Sequence, residues 1–211
     1  MKIIDISTPL SERMPVWPET PHPRFTLISS MRDGDCANDT KVEMSIHSGA
    51  HIDAPSHFLA GGKSIDKIPL ETFIGPVFVA YLPKVKKISS RELMKLKIPN
   101  GITRVLFKTS NSSLWKKPHV FRKDYVGLTE DAARWIAERH LKLVGVDYLS
   151  VADFSETAPV HKVLLKRGIA LLEGLDLREA REGVYQLIAL PLFIPNAEAA
   201  PTRAVLLPHT P

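Results

Sequence analysis

The sequence predicts one α/β domain built on a mixed β-sheet, and three observations carry that prediction. Short runs rich in Val, Ile and aromatic residues recur at 3–6, 25–28, 42–46, 77–82, 104–108, 141–146, 169–172, 185–190 and 203–207. Helical windows are few. Seventeen prolines punctuate the chain and favour many short elements over long helices. No internal repeat, low-complexity linker or shift in composition divides the 211 residues. Against roughly 150 residues per domain, that length fits a single domain over residues 1–211.

The elements follow in chain order. The run at 3–6 opens the sheet, and the polar stretch 32–40 reads as a loop between two strands. Ser89-Ser90-Arg91-Glu92 starts a helix through Leu96, with Ser89 at the N-cap and Glu92 in the first turn to satisfy free N–H groups. Thr129-Glu130-Asp131 opens a second helix whose apolar face is Ala132, Trp135, Ile136 and Ala137, before charged Glu138 and Arg139.

Composition excludes several classes. At 44% hydrophobic and 24% charged residues the chain is globular, and long enough to bury a core without disulfides or structural metal. Cys36 is the sole cysteine, so no intrachain disulfide and no cysteine-based zinc module exists. Any metal must be held by His and carboxylates. The 28 basic residues exceed the 23 acidic ones by only five, and they are dispersed. The runs Lys84, Lys86, Lys87 and Lys116-Lys117 lack aromatic interleaving and read as solvated surface, with no nucleic-acid partner. Asp5 interrupts the apolar start, so no signal peptide is expected. The longest stretch free of Asp, Glu, Lys and Arg is 183–197, and Pro191 and Pro195 break it, so no membrane span is expected. The expectation is a cytoplasmic protein.

The chemistry concentrates in Ser45-Ile46-His47-Ser48-Gly49-Ala50-His51-Ile52-Asp53-Ala54-Pro55-Ser56-His57-Phe58. Alternation along a strand sends Val42, Met44, Ile46, Ala50 and Ile52 to the core, and Glu43, Ser45, His47, Gly49, His51 and Asp53 to the other face. Gly49 and Pro55 argue against a helix. Two imidazoles and a carboxylate aimed at one point suit a hydrolytic divalent metal: zinc first, with manganese, iron or nickel as alternatives. On this reading Gly49 leaves room for the ion. Further ligands are sought among Asp147, Asp153, Glu156, His161 and Glu173. Glu173 ends the apolar run Ile169-Ala170-Leu171-Leu172, where a lone buried carboxylate is costly and must be paired or bound to a cation.

These residues resemble the metal-dependent cyclase-like hydrolases that include bacterial kynurenine formamidase. The family pattern His-x-Gly-Thr-His-x-Asp-x-Pro-x-His is matched by His47, Gly49, His51, Asp53, Pro55 and His57, with Ala50 in place of Thr. Asp5-Ile6-Ser7, Val16-Trp17-Pro18, the stretches 104–109 and 187–191, Gly145-Val146-Asp147 and Glu173-Gly174-Leu175 extend the likeness over nearly the whole chain. The resemblance implies a barrel-like mixed sheet with flanking helices, of the swivelling β/β/α type, assembled as a homodimer or larger homo-oligomer. It implies one metal held by His47, His51, Asp53 and Glu173, and a second held by His51, Asp53, His161 and Glu173. His57 corresponds to the general acid/base and Trp17 to an aromatic lining the substrate pocket. Two features depart from the pattern. Ala50 removes a hydroxyl expected beside the metal, and Pro18-Glu19-Thr20-Pro21 is one residue shorter than the usual Pro-Gly-Asp-Thr-Pro, in a loop that contacts substrate in the relatives.

The expected activity is hydrolysis of a small amide, such as an aryl formamide in tryptophan catabolism. A divalent ion lowers the pKa of bound water from near 16 to about 7, and the hydroxide attacks the amide carbonyl. His57 supplies the proton that the leaving amine needs. The alternatives are hydrolysis of a cyclic amide such as isatin, another ring-opening or dehydration of a small carbonyl compound, and a noncatalytic binding protein.

Overall fold

The computed structural model describes residues 2–116 and 120–209; Lys117, in the second basic run, lies outside them. Eleven strands are present among the described residues: β1 Ile4–Asp5, β2 Arg24–Ser29, β3 Asp39–Glu43, β4 His51–Asp53, β5 Ile74–Leu82, β6 Arg104–Thr109, β7 Leu143–Val146, β8 Ala170–Glu173, β9 Gly183–Ile188, β10 Ala199–Pro201 and β11 Val205–Pro208. Nine of them form one curled, half-barrel sheet in the order β1-β11-β9-β5-β6-β7-β8-β4-β10. Pairing is parallel from β5 through β8 and antiparallel elsewhere, so the sheet is mixed. β7 and β8 are buried along their whole length, as parallel strands covered on both faces must be. β2 and β3 pair apart from this sheet and leave Leu27, Ile28 and Val42 exposed.

Alternation along the strands splits the core in two. One side gathers Ile52, Val77, Val79, Leu106, Leu172 and Leu187 in the curl of the sheet. The other packs Phe78, Val105, Phe107, Val144 and Leu171 beneath three helices: α1 Ser90–Leu93, α2 Glu130–Ala137 and α3 Thr157–Lys166.

Several expectations are corrected. The strand expected at 42–46 lies earlier, at β3, and takes in the end of the loop expected at 32–40. The continuous strand expected through His47 is broken by a turn at Ile46 and His47. The helix from Ser90 stops at Leu93 rather than Leu96. Its Ser89 hydroxyl donates to Glu92 and caps no backbone N–H, while the Ser90 N–H finds Asp131 Oδ2 at 2.8 Å. α3 was unforeseen because Pro159 sits inside it. Proline is tolerated there since the first-turn N–H groups have no intrahelical partner. β10 is too short to register as a run.

Gly49 serves packing, not an ion. Its φ is 67°, and a Cβ there would meet Leu10 Cδ2 at 2.7 Å, on the side away from the histidines. Gly174 follows β8 at φ 69°, where a Cβ would stand 2.0 Å from the Gly49 carbonyl oxygen. Contact between these two backbones sets the spacing between the histidine turn and β8. Gly174→Ala is therefore expected to destabilise the fold by about 2–5 kcal/mol, combining left-handed backbone strain with overpacking. A lowered urea midpoint checks this; an unchanged midpoint would mean that the segments part freely.

Candidate metal centre and pocket

β4 presents His51 and Asp53 on its helix-covered face and sends Ile52 into the opposite core. Antiparallel register sets His51 directly across from Glu173 on β8. The turn before β4 supplies His47, and the 3-10 turn Pro55–His57 that follows it supplies His57. α3 packs Val160, Leu164 and Leu165 into the core and so delivers His161 to the same point.

Asp53 lies at the centre. Its Oδ1 is 3.0 Å from His47 Nδ1 and 3.5 Å from His51 Nε2, and its Oδ2 is 3.7 Å from His161 Nε2 and 3.8 Å from His57 Nε2. Glu173 Oε2 is 3.4 Å from His51 Nε2, and Oε1 is 3.1 Å from His161 Nε2 while accepting the Val151 N–H at 2.7 Å. Two donor groups result, His47-His51-Asp53 and Asp53-His161-Glu173, each with its atoms within 4.8 Å of one another.

Both Asp53 oxygens and His51 Nε2 are buried without a hydrogen-bond partner. Buried polar atoms are ordinarily satisfied, and a buried carboxylate above all. A divalent cation suits this set, because oxygen and imidazole donors converge on one another and three of these atoms have no hydrogen-bond partner. Without a cation, protonated imidazoles must balance the carboxylates. Burial opposes charge on His51, yet the Glu173 and Asp53 carboxylates raise its pKa to about 9. His161 is also raised: burial opposes its charge, but Glu173 outweighs it. Burial works against ionised Glu173, and His161 and His51 more than reverse this, holding it well below the usual range. Cation and protons thus compete for the same atoms.

Two imidazoles have their second nitrogen fixed by backbone. His51 Nδ1 lies 2.9 Å from the Gly49 carbonyl oxygen and His161 Nδ1 lies 2.6 Å from that of Thr157, leaving each Nε2 to face the carboxylates. Phe58 stacks on His161 at 4.5 Å and shields it.

The other carboxylates considered as ligands serve the scaffold. Buried Asp147 accepts from Thr109 and Ser112, through both backbone and hydroxyl. Asp153 caps the turn leading into α3 and pairs with Lys87 at 3.0 Å, and Glu156 accepts the Glu130 N–H that begins α2.

A pocket of ≈ 220 Å³ opens over the cluster, lined by His47, His51, His57, His161 and Glu173 together with Trp17, Thr20, Ser45, Phe58, Leu149, Ser150 and Thr157. Trp17 contacts Phe121 at 5.3 Å and Phe154 at 5.4 Å between ring centroids, so it packs and lines at once. The shortened loop is a tight turn closed by the Thr20 N–H on the Trp17 carbonyl at 3.0 Å, with Glu19 at φ 69°. Ala50 is not beside the cluster. It lines a separate groove with Leu10, Met44 and Pro201 on the other side of β4. Ser150, Leu149, Phe121 and Phe154 carry no signal in the sequence, since each comes from a segment remote from the histidine motif; Phe58, next to His57, is within reach of it.

Among the described residues, no helix is long and apolar enough to cross a membrane. The family profile described as "Putative cyclase" matches residues 4–153. Cyclase-like protein 3 of Arabidopsis thaliana is 40% identical over 98% of this chain and 79% of its own length. Kynurenine formamidase of Bacillus anthracis is 36% identical over 98% of both. A solved structure described as a potential metal-dependent hydrolase with cyclase activity superposes with a TM-score of 0.87 at 34% identity, covering 100% of this chain and 99% of its own. Isatin hydrolase A of Labrenzia aggregata, solved with benzyl benzoate, gives 0.81 at 25% identity over 97% and 93%. With the histidine cluster and the curled sheet in the same chain, these matches make it a member of the cyclase family of metal-dependent hydrolases, related to kynurenine formamidase and isatin hydrolase.

Proposed function

We propose that this protein hydrolyses a small aryl amide, in the manner of a kynurenine formamidase, with a divalent cation, zinc first and manganese second, held by His47, His51, Asp53, His161 and Glu173. One observation carries the reading: buried, unpartnered donor atoms converge at the floor of a pocket whose wall is aromatic. A cation there supplies Lewis-acid charge and makes hydroxide available at neutral pH.

The chain's own groups do the rest. His57 stands at the pocket edge, half-buried, with Nε2 facing the cluster. Burial lowers its pKa, so the ring is neutral at pH 7 and Nε2 takes a proton from water and passes it to the leaving amine. Trp17, braced by Phe121 and Phe154, offers a flat apolar face to an aromatic ring. Phe58 and Leu149 exclude bulk water from the floor.

Hydrolysis of a cyclic amide is the second reading, favoured by the likeness to isatin hydrolase. Turnover on aryl formamides, aliphatic formamides and isatin, with zinc or manganese added, separates the two, and absence of turnover on all of them would overturn both. Loss of the Trp17 stacking contact is worth roughly 0.5–1.5 kcal/mol beyond buried area. Trp17→Ala is therefore expected to raise KM several-fold on aryl formamides and much less on aliphatic ones, with metal content unchanged. Equal losses on both would assign Trp17 to packing alone.

A further inference from the structure

We infer that Glu198 is a positioning residue for the cation site: its carboxylate faces the Nε2 of His47, favours the proton there, and so leaves Nδ1 for the cation. The inference rests on the cation site proposed above. His51 and His161 each have one ring nitrogen against a backbone carbonyl and the other against the carboxylates. His47 follows the same plan with a different acceptor. Its Nδ1 faces Asp53 Oδ1 at 3.0 Å, and its Nε2 faces Glu198 Oε1 at 3.6 Å.

His47 needs such a partner more than the other two. It lies in a turn and not in β4, and its side chain is 23% exposed while that of His51 is 2% exposed. Packing therefore leaves its ring freer to rotate. Glu198, by contrast, starts from a fixed backbone. The Ala54 N–H donates to its carbonyl at 2.8 Å, the Ile65 N–H donates to the Ala197 carbonyl at 2.9 Å, and the Asn196 N–H donates to Asp66 Oδ1 at 3.0 Å. Because β10 begins at Ala199, paired with Asp53, the strand that carries the central carboxylate also sets the distance from Glu198 to His47. A carboxylate on the far nitrogen of a ligating imidazole fixes its tautomer and raises its basicity, and losing it typically costs 10–100-fold in metal affinity.

The test measures Zn²⁺ affinity by competition with a chromophoric chelator, for the wild type and for Glu198→Ala and Glu198→Gln. Glu198→Ala is expected to bind Zn²⁺ about 10–100-fold more weakly. Glu198→Gln keeps an acceptor oxygen and recovers part of the loss, while both variants melt with the wild type after exhaustive chelation. Wild-type affinity in Glu198→Ala overturns the inference, as does a loss of affinity matched by an equal loss of stability in the chelated protein. His51→Ala in the same assay keeps the two claims apart. If it too retains Zn²⁺, the site itself is wrong; if it loses Zn²⁺ while Glu198→Ala does not, only the role of Glu198 falls.

Discussion

His51→Ala and Asp53→Ala are each expected to lose stoichiometric divalent-cation binding while remaining folded. Asp53 belongs to both donor groups, and its two oxygens lie within 3.8 Å of four imidazoles. Removing it opens both groups at once, and no other carboxylate oxygen in the described structure reaches His47 except that of Glu198. His51 Nε2 approaches both carboxylates, so its removal leaves them facing each other with less positive charge between them. Neither side chain belongs to the apolar packing around Ile52 and Leu172, which lies across the sheet. Metal analysis by mass spectrometry, with circular dichroism for the fold, decides the matter. Unchanged metal content in both variants would refute the site.

His57→Ala has a different signature. The variant should retain its metal and lose about 10²–10⁴-fold in kcat, the usual weight of a positioned general acid or base. His57 stands farther from the carboxylates than His47, His51 or His161 do, and in neither donor group. Ring contacts with His47 at 4.3 Å and Phe58 at 4.4 Å hold it at the pocket wall. The pH dependence has a definite sign. A base must be neutral, and burial disfavours the imidazolium, so the acid limb of kcat/KM falls below the ordinary 6.5. Near-wild-type turnover in His57→Ala on any substrate the wild type hydrolyses would assign the proton to another group.

What was legible in the sequence was local. The spacing of His47, His51, Asp53 and His57 is short enough for any extended or turned backbone to keep them together, and the β-type runs carry their burial in their own composition. The family pattern added Glu173 and His161, which spacing alone left level with Asp147, Asp153 and Glu156. Tertiary structure decided what depends on distant segments meeting. Register across β4 and β8 places Glu173 opposite His51, and α3, hidden from pattern reading by Pro159, lowers His161 onto them. The backbone contact between Gly49 and Gly174, 125 positions apart in the chain, sets how closely those pieces approach. Alternation already set Ala50 on the core side, but Gly49 approaches Leu10 and not the cluster because the chain turns before β4, an event that strict alternation does not contain. Glu198 carries no sequence signal at all: a single acidic residue before a three-residue strand acquires meaning only when β10 pairs with β4 and brings it beside His47.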